Sequence, residues 1–99
     1  MNLFVDDTRK FPEHGYICCR DADSAIRFLG LMKFDHISLD YSLGNGKSGL
    51  EILIWMKENN IFVPEINIHS NNIFGIEKME EYCKENFPDS KLTTITLQK

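Results

Sequence analysis

The segment His36-Ile-Ser-Leu-Asp40-Tyr-Ser-Leu-Gly-Asn-Gly-Lys-Ser48-Gly49 constrains this chain more than any other. It reads as a short strand, an acid, a glycine-studded loop and a helix start in direct succession. His36 to Leu39 alternates polar and apolar residues, which suits a strand with one buried face. Gly44, Asn45 and Gly46 take positive φ at low cost, so the chain can turn sharply after Asp40. Ser48 and Glu51 form a capping-box pattern that starts a helix at Gly49–Leu50. An acid at the carboxyl end of a strand in an open α/β sheet stands where ligands bind. The other segments are therefore weighed by what they can bring to Asp40.

A chain of 99 residues supports one small domain, expected to span 1–99. Its net charge of −4 argues against a surface that grips duplex nucleic acid, which needs basic patches. It leaves room for a small phosphorylated ligand held by one or two local cations. Cys18, Cys19 and Cys83 show no metal-ligand spacing, and strand neighbours such as Cys18 and Cys19 face opposite ways. They read as structural thiols in a reducing compartment. No stretch approaches the ~20 apolar residues of a membrane span. The first strand begins almost at Met1, without a signal-peptide pattern, so a cytoplasmic location is expected.

Asn2 to Val5 reads as a buried strand running straight into Asp6-Asp7-Thr8-Arg9. Two adjacent carboxylates repel, and a cation is the simplest group to offset them. Pro12 and Gly15 mark a loop, and Tyr16 to Arg20 a second strand. The connection 6–15 is too short for a helix, yet long enough for an extended parallel crossover; an antiparallel hairpin is the alternative. Asp21 or Asp23 caps a helix with Ala22, Ala25, Ile26 and Leu29 inward. A second helix, from about Gly49 to Asn59, is apolar nearly all round and so belongs in a central position. Glu65 to Ser70 reads as a fourth strand. Asn71 or Asn72 caps a third helix carrying Ile76, Met79, Cys83 and Phe87 inward, and Leu92 to Gln98 reads as a fifth strand.

This order predicts an α/β fold with a five-stranded, mainly parallel sheet and about three helices. Ser38, Asn67, Thr94 and Thr96 are expected to share one polar sheet face. Three helices can cover only the other face, which leaves this one to loop, solvent or a second copy of the chain in a homodimer. A helix between Thr8 and Gly15 would exclude that expectation.

An Asp-Asp pair after strand one, an Asp after strand three and a hydroxyl after strand four resemble the receiver domain of response regulators. The resemblance implies a flavodoxin-like single domain without the family's first and last helices. It also implies that Asp6 and Asp7 hold magnesium, that Asp40 accepts a phosphoryl group, and that Ser70 matches the family's Thr/Ser. The family's Lys-Pro after strand five is absent, and Lys99 is a poor substitute. Asp6-Asp7-Thr8-Arg9, Ser38-Leu39-Asp40 with Leu43-Gly44 and Gly49, and Ile68-His69-Ser70-Asn71 more specifically resemble an offshoot, the cyclic-phosphate-processing receiver-like domains.

That resemblance implies metal-dependent processing of a cyclic-phosphate nucleotide or RNA end, without a membrane or duplex partner. Asp6, Asp7 and Asp40 would bind Mg²⁺ (or Mn²⁺), an ion that wants hard oxygen ligands, with the Ser42 carbonyl assisting. Arg9 would clamp phosphate, with Ser70 and Asn71 beside it, and His69 would move a proton to the leaving alkoxide. Asp40, His69 and Arg9 are then the catalytic set. Plainer roles exist for each: Asx turns for Asp6 and Asp7, charge neutralisation for Arg9, a hydrogen-bonded core histidine for His69, a helix cap for Ser70 and Asn71. The alternatives are a phospho-accepting signalling receiver and a non-catalytic cyclic-nucleotide-binding module. His36 lies at the opposite rim, and Trp55, Met56 and Met79 read as packing. Twin-histidine phosphodiesterase, EF-hand, dinucleotide and P-loop patterns do not fit.

Overall fold

The segment 6–15 forms no helix and still returns the chain to a parallel neighbour. Strand β1 (Asn2–Val5) pairs with β2 (Tyr16–Cys19), Leu3 opposite Ile17 and Val5 opposite Cys19. Arg20 holds this bare crossover. Its Nη1 donates to the carbonyls of Arg9 (2.7 Å) and Asp6 (3.3 Å), and its guanidinium lies 3.7 Å above the Phe11 ring centroid.

The remaining elements are α1 (Ala22–Leu31), β3 (His36–Leu39), α2 (Gly49–Glu58), β4 (Glu65–Ser70), α3 (Ile73–Asn86) and β5 (Lys91–Thr96). This computed structural model describes residues 1–44 and 46–97. The expectations on Asn45, Gln98 and Lys99 lie outside the described residues. The sheet order is β2-β1-β3-β4-β5 with every pair parallel. This is the flavodoxin-like receiver fold, with three helices and neither a helix between β1 and β2 nor one after β5 among the described residues. No described helix is long and apolar enough to cross a membrane.

One face of the sheet carries the core. Leu3, Val5, Ile37, Leu39, Ile66 and Ile68 are fully buried, and each contributes about 1.5–3 kcal/mol by leaving water. The helices pack over them as one layer, α2 between α1 and α3. That placement explains the apolar girth of α2, whose Ile52, Leu53 and Met56 are fully buried while Trp55 packs partly buried at the margin. Asp21 caps α1 by accepting from Ser24 N (2.7 Å), and Asn72 caps α3 by accepting from Gly75 N (2.9 Å). Burial pushes the Cys19 and Cys83 thiols up to about 11 and about 12, so both stay protonated packing groups.

Two local expectations are corrected. The Ser48 side chain makes no cap bond. Gly49 N donates instead to Tyr41 O (2.8 Å), Glu51 N to Ser48 O (3.1 Å), and Ser42 and Ser48 form an antiparallel bridge. The backbone of the loop has taken over what the capping box would have done. The faces of β5 are also inverted relative to expectation. Register with β4 sets Thr93 beside Asn67, and the Asn67 side-chain amide is hydrogen-bonded to Thr93 Oγ1 (2.8 Å). Thr94 turns to the helices, its hydroxyl donating to Glu80 of α3 (2.7 Å). The helix-free face thus carries Ser38, Asn67 and Thr93 with Ile95, not Thr94 and Thr96.

Gly49 has a packing reason. A Cβ there would collide with the Asp40 carbonyl oxygen and lie 2.8 Å from the Met79 methyl group. Gly49→Ala is expected to destabilise by about 1–3 kcal/mol, the range for overpacking. That is a melting-temperature loss of roughly 4–8 °C per kcal/mol in a chain of this size. An unchanged melting curve would mean that the loop after Asp40 is looser than its contacts indicate.

Candidate metal and phosphate site

Val5 and Leu39 are partners in the β1–β3 ladder, so the residues that follow them leave the sheet side by side. The backbone holds both: Asp6 N donates to Cys19 O (3.1 Å) and Asp40 N to Val5 O (3.0 Å). Order reverses at β1/β3, the switch point at whose carboxyl edge open α/β sheets bind ligands. Asp6, Asp7 and Asp40 meet there, each offering a carboxylate oxygen within 4.8 Å of the others. Three like charges so close favour a cation or a proton.

Asp6 is fully buried and the most constrained. Its Oδ1 accepts from Thr8 N (3.0 Å) and Arg9 N (2.8 Å), which is the Asx turn of the plainer reading. Its Oδ2 faces His69 Nε2 (3.0 Å) and Arg9 Nε (3.4 Å). Asp7 is half-buried and looks across to Gly44, where a Cβ would stand 3.8 Å from Asp7 Oδ2. Gly44 also needs its φ of +71° to turn the loop. Burial raises the pKa of Asp40 and the charge of Asp6 adds to it. The Ser70 hydroxyl, His69 and the Tyr41 amide pull the other way.

His69 lies on the helix-free face, stacked on Phe4 with ring centroids 4.7 Å apart. Burial lowers its pKa, against the opposing pull of Asp6 and Asp40, so the neutral ring prevails at neutral pH. A neutral ring has one N–H, and the Asp6 carboxylate can only accept; the proton therefore sits on Nε2. Nδ1 then accepts from the Ser38 hydroxyl, 2.7 Å away. Ser38 Oγ also lies 2.8 Å from the Asn67 side-chain amide. With its one proton given to His69, it is served best by the amino end of that amide, the two ends being alike in shape. A polar chain thus runs Asp6, His69, Ser38, Asn67, Thr93. Both His69 nitrogens are engaged, so any proton it exchanges passes through Ser38 or Asp6.

Arg9 Nε is the one buried side-chain polar atom among the described residues without a hydrogen-bond partner. It sits near Asp6 without the alignment of a hydrogen bond, so its charge is balanced and its N–H is unspent. Ser70 is fully buried, and its Oγ accepts from Asn72 N (3.1 Å). Asn71 is exposed at the rim. His36 stands at the other end of the strands, 3.4 Å from Glu65. The sequence reading missed the partners of His69. Ser38 is 31 residues away and Asp6 63, and no local pattern reports such pairs. It also missed Arg20 as the clamp of the first loop.

A hollow of about 630 Å³ near Phe34 and Phe62 lies at the amino-terminal rim away from the acids. A second, about 370 Å³, opens on the helix-free face between Arg9, Pro12 and Ile95.

A family profile described as "Cyclic-phosphate processing Receiver domain" matches residues 1–85. The chain belongs to this family of receiver domains. A solved response regulator from Burkholderia pseudomallei, holding a phosphorylated aspartic acid, a calcium ion and citrate, has the same fold with a TM-score of 0.64. It is 17% identical, and the match covers 98% of this chain and 60% of that one. No curated protein matches the chain. In this receiver domain the acid cluster occupies the carboxyl edge of β1 and β3, and the helix-free face comes up to it through His69 and Arg9.

The residues present suit a hard divalent cation. Asp7 and Asp40 present carboxylate oxygens, while Asp6 is already committed to its amide, histidine and arginine partners. Mg²⁺ is ordinarily held by one or two carboxylates and keeps several waters.

Proposed function

We propose that this receiver domain processes a cyclic-phosphate nucleotide or RNA end by metal-dependent phosphodiester hydrolysis. The observation that supports it is the convergence of Asp6, Asp7 and Asp40 beside an arginine with an unspent N–H. Asp7 and Asp40 would hold Mg²⁺ or Mn²⁺, with Asp6 bracing the site. Bound there, the ion would polarise a phosphoryl oxygen and lower the pKa of a water. Arg9 takes the phosphate oxygens, with Asn71 exposed on the rim and Ser70 buried at the end of β4. His69 holds Asp6 in place and exchanges protons through Ser38. The neutral imidazole suits a proton acceptor better than the donor expected from sequence.

Thermal-shift screening of cyclic mono- and dinucleotides, with product analysis with and without Mg²⁺, tests this. The expected result is stabilisation by one ligand class and its metal-dependent conversion to a monoester. A ligand that stabilises the domain and returns unaltered indicates a binding module instead. A second reading rests on Asp40 standing directly after β3 in the acid cluster: phosphoryl acceptance, as in the Burkholderia protein. It predicts that a small phosphodonor adds one phosphoryl group to Asp40.

A further inference from the structure

We infer that the hollow on the helix-free face seats a planar nitrogen heterocycle, the base of the nucleotide whose phosphate meets Arg9. This rests on the function proposed above and names where the rest of that ligand lies.

The missing first helix leaves this face concave rather than open. Pro12 of the first loop walls one side, Ile95 and Leu97 the other, and Phe4, Ser38 and Asn67 form the floor of a cavity of about 370 Å³. That volume lies in the range of small-molecule sites. A nucleobase has two apolar faces and a hydrogen-bonding edge, and proteins hold it with aromatic side chains and a few amides or hydroxyls. Tyr16 supplies the first, aromatic surface beside Phe4, whose ring is stacked on His69, and the Phe4 and Tyr16 rings lie edge to face at 5.9 Å. Asn67 supplies the second: one amide N–H is not needed by Ser38 or Thr93.

Arg9 ties the cavity to the acids. Its side chain borders the hollow, its Nε is unpartnered, and it lies 3.4 Å from Asp6. A ligand with both a ring and a phosphate satisfies the two halves of this arrangement, and neither a free phosphate nor an apolar peptide does. A second copy of the chain fits worse. Among the largely exposed apolar side chains, only Ile95 lies on this face, and a two-fold contact needs a self-complementary surface.

The test is an NMR titration of the ¹⁵N,¹³C-labelled protein with free nucleosides, then with nucleoside 2′,3′-cyclic monophosphates and Mg²⁺. Free nucleosides are expected to shift Phe4, Tyr16 and Ile95, and the cyclic phosphates to bind about tenfold tighter or better through Arg9. Ile95→Arg, an exposed substitution that leaves the fold intact, is expected to weaken both at least fivefold without changing the Mg²⁺-induced thermal shift. Nucleoside binding on this face without turnover keeps the base site and removes the hydrolytic reading. Turnover without shifts on this face does the reverse. Shifts that follow protein concentration alone assign the face to a dimer and overturn the inference.

Discussion

Asp40→Asn is expected to abolish stabilisation by Mg²⁺ or Mn²⁺ while raising the melting temperature of the metal-free protein. The two effects have one cause. Burial and the charge of Asp6 hold the Asp40 pKa above its ordinary value, so the folded state binds this proton more tightly than the unfolded chain does. Stability is therefore lost as pH rises from the unfolded pKa through the folded one. At neutral pH Asp40 is ionised at a cost that an amide does not carry. A cation reverses the balance. At a hundred times its dissociation constant it adds about 2.7 kcal/mol, roughly 10–20 °C for a domain of this size. Asparagine lacks the charge that this needs. Thermal melts of both proteins with EDTA and with each ion decide the matter; a metal shift kept in the variant would place the cation elsewhere.

The second large effect is at His69. Its N–H serves a fully buried carboxylate, and hydrogen bonds to charged groups contribute about 1.5–3 kcal/mol. His69→Ala is expected to lose at least that much, because Ser38 is orphaned too. His69→Gln keeps a donor and loses less. The pH dependence separates the role of the ring from simple packing. Burial lowers the folded-state pKa, so the unfolded chain takes up the proton first. The contribution is complete above the ordinary histidine pKa of ~6.5 and is lost as pH falls below it. Denaturant titrations between about pH 5 and pH 8 should show this slope in the parent and a flatter one in His69→Gln. Equal slopes would mean that another group titrates in this window.

The order of elements was legible because its signals are local: alternation in His36 to Leu39, Asp21 and Asn72 before apolar helical spacing, Pro12 and Gly15 marking the first loop. The meeting of Asp6 and Asp40 followed from strand order in an α/β sheet, which sequence patterns report indirectly. What escaped was set by register or by backbone geometry. The faces of β5 depend on its pairing with Asn67, and as an edge strand it has too little burial to advertise them. Ser48 looks like a cap until the Ser42–Ser48 bridge makes its side chain redundant. The bond from His69 to Ser38 joins neighbouring strands far apart in the chain. Its chemistry became visible only when one imidazole was seen to face a buried acid and a hydroxyl at once.

The most direct measurement is ³¹P NMR of a nucleoside 2′,3′-cyclic monophosphate incubated with the domain, with Mg²⁺ present and then chelated. The expected outcome is loss of the cyclic diester signal to a monoester that stops on chelation and is absent with Asp40→Asn. An unchanged diester in the presence of protein shown by its melting shift to be loaded with metal contradicts hydrolysis at the Asp6, Asp7 and Asp40 cluster.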